Sequence, residues 1–161
     1  MTKKPATAAI ALGTNLGDRE SNLREAIRRL AALGEVEAVS SFHDTEPVGV
    51  LDQPRFLNAA LLLRTALKPW PLMRGLLIVE KAMGRKRKGV LSKGPRVIDL
   101  DLLLYEDCES RVVSTAELAL PHPAMHERSF VLDPLAEIAP RMRHPVLKRT
   151  VAELRAELNK N

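Results

Sequence analysis

The chain has a single cysteine, Cys108, and so cannot form an internal disulfide. That excludes a disulfide-stapled secreted scaffold and suits a reducing, cytoplasmic compartment. Long apolar runs are missing as well. None approaches the ~20 residues of a membrane span, so no membrane partner is expected. The N-terminal MTKKPATAAIALG carries two lysines ahead of a short apolar run. That run passes straight into a loop and a charged helix, so it reads as a first β-strand and not as a signal peptide. Aromatics are scarce: Phe42, Phe56, Trp70, Tyr105 and Phe130 are all there are. No G-x-x-x-x-G-K-[ST] occurs, and GTNLGD lacks both its lysine and its spacing, which excludes a P-loop nucleotide site. No cysteine joins His122 and His126 in a zinc-like spacing. Repeats, low-complexity tracts and domain linkers are absent.

What is present fits one globular domain spanning 1–161, large enough for a proper core. TAAIAL (7–12) makes a first strand. Asp18 is placed as the N-cap of a helix along which Leu23, Ala26, Ile27, Leu30 and Leu33 recur, with Gly34 closing it. EVEAVSSFHDT (35–45) reads as a second strand and FLNAALLLRT (56–65) as a third, separated by the Pro/Gly-rich EPVGVLDQPR. Pro69 and Pro71 open a second helix that continues through Leu72, Leu76, Val79 and Met83 and ends at Gly84. GPRVIDLDLLLYED (94–107) is the fourth strand. The order β-α-β-β-α-β gives an α+β class, the ferredoxin-like antiparallel sheet with both helices on one face. The opposite face is left for further chain or a ligand. Beyond 108, weak strands fall at 111–113 and 117–120. A proline-studded segment follows, and then a last helix at 149–159.

The fourth strand holds the first chemical signal. Residues two apart on a strand share a side, so Asp99 and Asp101 project together while Ile98, Leu100, Leu102 and Leu104 line the other face. An ordinary D-x-D on a strand is a solvated polar face. This strand is too apolar for that, and cations crowd just upstream: Arg85, Lys86, Arg87, Lys88, Lys93 and Arg96. Two adjacent carboxylates repel unless one holds a proton or a cation sits between them. Hard oxygen donors on a rigid element favour Mg²⁺, which completes its shell with water and phosphate. Nearby cations would meet the remaining phosphate charge. The glycine-punctuated basic segment GRKRKGVLSKG (84–94) could close over such a ligand, and the net charge of +5 agrees with an anionic partner. His122 and Arg128 fit phosphate contact. Phe56 and Phe130 could clamp a flat heteroaromatic ring, with Asn58, on the same strand face as Phe56, reading its polar edge.

ALGTNLGDRESNL, TEPVGVLDQPRFLNAALLL, GPRVIDLDLLLY and PHPAMHERSFVLDPLAEIAP, in that order, resemble the 6-hydroxymethyl-7,8-dihydropterin pyrophosphokinase family of folate biosynthesis over about residues 8–140. The resemblance implies transfer of pyrophosphate from ATP to the hydroxymethyl of the pterin, with AMP as the leaving product. It implies that Asp99 and Asp101 bind two Mg²⁺ and act in catalysis with Arg85 and Arg96. ATP contacts carry over to Glu80, Arg85, Arg87, Arg96, Leu102, His122 and Arg128. The pterin would lie between Phe56 and Phe130, with Asn58 and backbone around Thr45, Pro47 and Val48 at its edge. Ser92 and Lys93 stand where some members have Trp and Arg, and Ala124 where many have a charged residue, so lid closure and nucleotide affinity depart from the family pattern here. A monomer is expected. The competing reading is an RNA-binding module of the same element order, which would need aromatics where the acids stand and an RNP-like run that is missing.

Overall fold

The computed structural model describes residues 4–49, 51–84, 96–108 and 110–160. Its first elements are β1 (Ala6–Thr14), α1 (Arg19–Leu30), β2 (Glu35–Val39), β3 (His43–Thr45), β4 (Phe56–Thr65), α2 (Pro69–Ala82) and β5 (Asp99–Glu106). The main sheet runs β2-β4-β1-β5, every pairing antiparallel, with β3 added to β4 beside β2. The chain is thus a mixed α/β protein on an antiparallel sheet. The strand expected over 35–45 is broken in two. Ser40 leaves the ladder, its hydroxyl accepting from the Ala60 N–H and its own N–H donating to the Ala60 carbonyl, and β3 restarts lower on β4.

Asp18 caps α1 as expected, its carboxylate accepting from the Ser21 N–H at 3.0 Å. Gly34 has a different role from the helix stop expected of it. A Cβ there would lie 2.4 Å from the Arg64 carbonyl oxygen, so glycine is needed for the chain to pass under β4. Leu23, Ala26 and Leu30 of α1 and Leu72, Leu76 and Val79 of α2 pack on one face of the sheet, against Ile10, Leu12, Leu61, Leu63, Leu100 and Leu102.

The other face is covered by chain. After the short strands β6 (Val113–Ser114) and β7 (Ala119–Leu120), a 3-10 turn at Met125–Glu127 leads into α3 (Ser129–Ile138). The hairpin of β8 (Arg143–His144) and β9 (Arg149–Thr150) then delivers α4 (Val151–Asn159). Thr150 and Glu153 close a capping box at the start of α4. Met125, Val131, Leu132, Leu135, Val151 and Leu154 form a second core with Ala9, Ala60, Leu103 and Leu104.

A bulge in β5 makes this two-sided burial possible. Ile10 pairs Leu102 while Ala9 pairs Leu104, so Leu103 is the extra residue. The bulge breaks strict alternation. Leu104 therefore does not share the face of Leu100 and Leu102 as expected; it joins Leu103 in the second core, and Tyr105 returns to the first.

Candidate active site

Three strands end together at the site. In register, Asn58 of β4 and Asp99 of β5 both pair with Gly13 of β1, and one row further in Ala60 and Asp101 pair with Ala11. Asn58, Gly13, Asp99, Ala11 and Asp101 all face the side that α3 covers. α3 reaches only part of it, and a cleft remains, lined by Ala11, Leu12, Gly13, Thr45, Glu46, Val48, Phe56, Asn58, Arg96, Asp99, Asp101, Arg128, Phe130 and Val131. Its floor is the small-residue end of β1. A Cβ on Gly13 would come within 3.0 Å of Asn58 Oδ1 and 3.8 Å of the Phe56 ring.

At one end of the cleft the Asn58 amide donates from Nδ2 to Thr45 Oγ1 at 2.5 Å. This leaves Oδ1 beside Gly13 as an acceptor facing the cleft. Phe56 and Phe130 come from different elements, β4 and α3, and both reach the cleft wall. Each carries an arginine: the Arg96 guanidinium lies 5.5 Å from the Phe56 centroid and that of Arg128 5.6 Å from the Phe130 centroid. Such cation–ring contacts hold long side chains in place at modest energy.

At the other end Arg96 donates to Asp99 Oδ2 at 3.0 Å, and His122 Nε2 lies 4.0 Å from Asp101 Oδ1. The His122 backbone N–H donates to the Leu103 carbonyl at 2.9 Å, which fixes the loop before α3 to the outer edge of β5. Its ring Nδ1 accepts from the Ala124 N–H at 3.2 Å, so the neutral ring carries its proton on Nε2, toward Asp101. Burial pushes the His122 imidazole below its ordinary value, the Arg128 cation adds to this, and Asp99 opposes it. His122 is therefore a neutral N–H donor at pH 7, and Arg96 and Arg128 supply the cationic charge.

Of the residues expected from sequence, Thr45, Val48, Phe56, Asn58, Arg96, Asp99, Asp101, Arg128 and Phe130 meet in this one cleft, with His122 at its edge. Pro47 lies between lining residues without lining the cleft itself. Glu80 and Leu102 are elsewhere. Leu102 packs in the first core. Glu80 is 2% exposed, and its carboxylate accepts the Leu100 N–H at 2.8 Å from the outer edge of β5. Both stand across the strand from the acid pair. Arg85 and Arg87 fall outside the described residues, as does most of the basic segment 84–94. Ala11, Leu12, Gly13, Glu46 and Val131 line the cleft without having been singled out; the small residues at alternate β1 positions, Ala9, Ala11 and Gly13, were the available signal.

The donor set fits a hard divalent cation held in part by substrate. Two carboxylates project side by side, and no group of three or more His, Cys, Asp or Glu suited to a metal occurs among the described residues. The described residues thus offer too few ligands for an all-protein metal cage, the pattern of Mg²⁺ bound through one or two carboxylates, water and phosphate.

Residues 9–140 match the family model for 7,8-dihydro-6-hydroxymethylpterin-pyrophosphokinase (HPPK). A 2-amino-4-hydroxy-6-hydroxymethyldihydropteridine pyrophosphokinase of Aquifex aeolicus is 38% identical over 94% of this chain and 92% of its own length. The Bacillus subtilis protein of that name is 46% identical over 81% of this chain and 77% of its own. A folate synthesis bifunctional protein of Arabidopsis thaliana is 46% identical over 80% of this chain, which spans only 26% of that relative. The solved wild-type Plasmodium falciparum HPPK-DHPS superposes with a TM-score of 0.72 at 15% identity, covering 98% of this chain and 42% of that one, a likeness of fold. The sequence of acids, aromatics and carboxamide around one cleft, and a family match that contains all of them, lead to one conclusion: the chain belongs to the 7,8-dihydro-6-hydroxymethylpterin-pyrophosphokinase family.

Proposed function

We propose that the cleft between Asn58 and Asp99 is where this chain carries out its family's reaction, with the pterin at the Asn58 end and the ATP polyphosphate at the Asp99 end. As a pyrophosphokinase the chain transfers pyrophosphate from ATP to the hydroxymethyl group of 6-hydroxymethyl-7,8-dihydropterin, giving AMP and the pterin diphosphate, in folate biosynthesis. The observation that carries the assignment is the shared register of Asn58 and Asp99 on Gly13. It sets a group able to read a heterocycle's edge and a group able to take a metal on the same side of three adjacent strands.

In this reading Phe56 and Phe130 hold the pterin ring, offset stacking favouring a flat bicycle between them. Asn58 Oδ1 accepts from the ring's amino and N–H donors, its orientation fixed by Thr45. Asp99 and Asp101 would hold two Mg²⁺, which would supply Lewis-acid polarisation at phosphorus and positive charge beside the departing oxygen. Arg96 and Arg128 can swing from their ring contacts to phosphate oxygens, where a guanidinium binds in a bidentate fork. His122 donates from Nε2 at the same end. Among the described residues no dedicated base stands by the acceptor position, and holding the hydroxyl in line, with fixed positive charge around the phosphates, suffices for a loose phosphoryl-type transition state. Arg85 and Arg87 belong to the segment expected to cover the phosphates. The frame is the ferredoxin-like one: the order β2-β4-β1-β5 with α1 and α2 on one face supports it.

Incubation with ATP, Mg²⁺ and the hydroxymethyl pterin, followed by identification of the nucleotide product, tests the reaction. AMP is expected. ADP would mark transfer of a single phosphoryl group and overturn the reading.

A further inference from the structure

Asn15, the residue immediately after β1, is 2% exposed and does not line the cleft. A buried carboxamide must find partners, and the partners of Asn15 are far away in sequence. Its Nδ2 donates to Gln53 Oε1 at 2.9 Å and to the Pro54 carbonyl at 3.0 Å. Its Oδ1 accepts from the Arg96 N–H at 2.8 Å, and its own N–H donates to the Arg96 carbonyl at 3.1 Å. Residues 53–54 and 96–98 belong to no strand or helix. No ladder fixes them, yet Phe56 follows Pro54 by two residues and Asp99 follows Arg96 by three. One side chain therefore ties down both chain segments as they enter the cleft. The loop that carries Asn15 is itself held, Asn22 donating to the Leu16 carbonyl at 2.7 Å and to Thr14 Oγ1 at 3.3 Å.

We infer that Asn15 is a positioning residue for pyrophosphate transfer, setting the pterin wall at Phe56 against the anionic wall at Arg96 and Asp99. The inference rests on the roles proposed above for those three residues. The two ends of the carboxamide serve different walls: Nδ2 holds the Phe56 arm and Oδ1 the Arg96 arm. Asn15→Asp preserves an oxygen for the Arg96 N–H but turns the other end into an acceptor against the Pro54 carbonyl. The Gln53 amide can rotate to donate; a carbonyl cannot. A small misplacement of a binding group is costly to an oriented reaction.

The test is steady-state kinetics of wild type, Asn15→Asp and Asn15→Ala, well below the melting temperature of each variant and with folding checked by circular dichroism. For Asn15→Asp the pterin KM is expected to rise about tenfold while the ATP KM stays within about twofold of wild type. For Asn15→Ala, which frees both arms, both KM values rise and kcat falls about tenfold or more. Gln53→Ala probes the Phe56 arm from its more exposed side, with the pterin KM alone expected to rise a few-fold. Variants that melt earlier but keep wild-type KM and kcat would overturn the inference, as would an Asn15→Asp enzyme whose two KM values rise in the same proportion. A wild-type enzyme that forms no pterin diphosphate would instead overturn the roles assigned to Phe56 and Asp99, before any variant is compared.

Discussion

Asn58 and Asp99 flank a single residue, Gly13, one on each neighbouring strand. Two strand spacings separate them, ~9.6 Å across the sheet, and the residue between has no side chain. A ring whose polar edge meets Asn58 therefore lies over bare backbone and presents its far end toward the carboxylates. The spacing between the carboxamide of Asn58 and the carboxylate of Asp99 is thus a property of the sheet, whereas the approach of Phe56 and Arg96 to it depends on the segments that Asn15 holds.

Gly13→Ala tests the bare floor. The φ of Gly13 is not in the left-handed region, so alanine is tolerated by the backbone. The new methyl carbon would press on Asn58 Oδ1 at 3.0 Å and force the amide to turn. Losing one well-placed hydrogen bond costs ~1 kcal/mol. The pterin dissociation constant is expected to rise about five- to tenfold, with ATP binding unchanged, in isothermal calorimetry with each ligand alone. Unchanged pterin affinity would remove Gly13 from the site.

Asp99→Ala and Asp101→Ala are each expected to cut kcat by about 10²-fold or more, the scale of losing a group that stabilises transition-state charge. The fold should survive, because both side chains face the cleft and neither core contains them. Chelation of divalent cations should silence the wild type to a similar degree, with recovery on adding Mg²⁺. Near-normal rates in either variant, with folding confirmed by near-UV circular dichroism, would remove the acids from catalysis.

Phe130→Ala should weaken the pterin more than the nucleotide. Phe130 reaches the cleft from the first turn of α3, and an aromatic contact of this kind contributes ~0.5–1.5 kcal/mol beyond area burial. The ring also supports Arg128 at 5.6 Å, so a lesser loss of ATP affinity is expected too. Equal losses for both ligands in calorimetry would assign Phe130 to positioning Arg128 instead.

The site was more legible in the sequence than the layer that encloses it. Asp99 and Asp101 declared themselves because charge in an otherwise apolar strand conflicts with burial, and Asn58 because it shares the Phe56 face. α3 did not. Val131, Leu132, Leu135 and Ile138 have helical spacing, but Pro134 inside the helix and prolines on both sides gave the opposite local signal. The helix persists because Val131, Leu132, Pro134 and Leu135 are buried, three of them within the second core. The displacement of Leu104 to the far face was equally hidden: a bulge is a property of the pairing between β1 and β5, and neither strand shows it alone. The resemblance gives Glu80 a contact to ATP, and only the outer edge of β5 reveals the Leu100 N–H that its carboxylate serves.

Acid is expected to weaken the C-terminal layer through His144. This residue is 4% exposed, and its Nδ1 accepts from the N–H groups of Leu147 at 3.0 Å and Val146 at 3.3 Å across the β8–β9 turn. Burial pushes the imidazole below its ordinary value, and the His126 ring, 6.0 Å away, adds to this. With the folded value below the unfolded one, the unfolded chain binds the proton first as pH falls. The contribution of His144 to stability is thus intact above about pH 6.5 and is lost progressively below it. His122 shifts in the same direction, so the wild-type slope is shared between the two. Melting temperatures measured from pH 7.5 to 5.5 should fall more steeply for wild type than for His144→Asn, whose side-chain oxygen can still accept within the turn but cannot titrate. Parallel curves for the two proteins would show that His144 plays no part in the acid response.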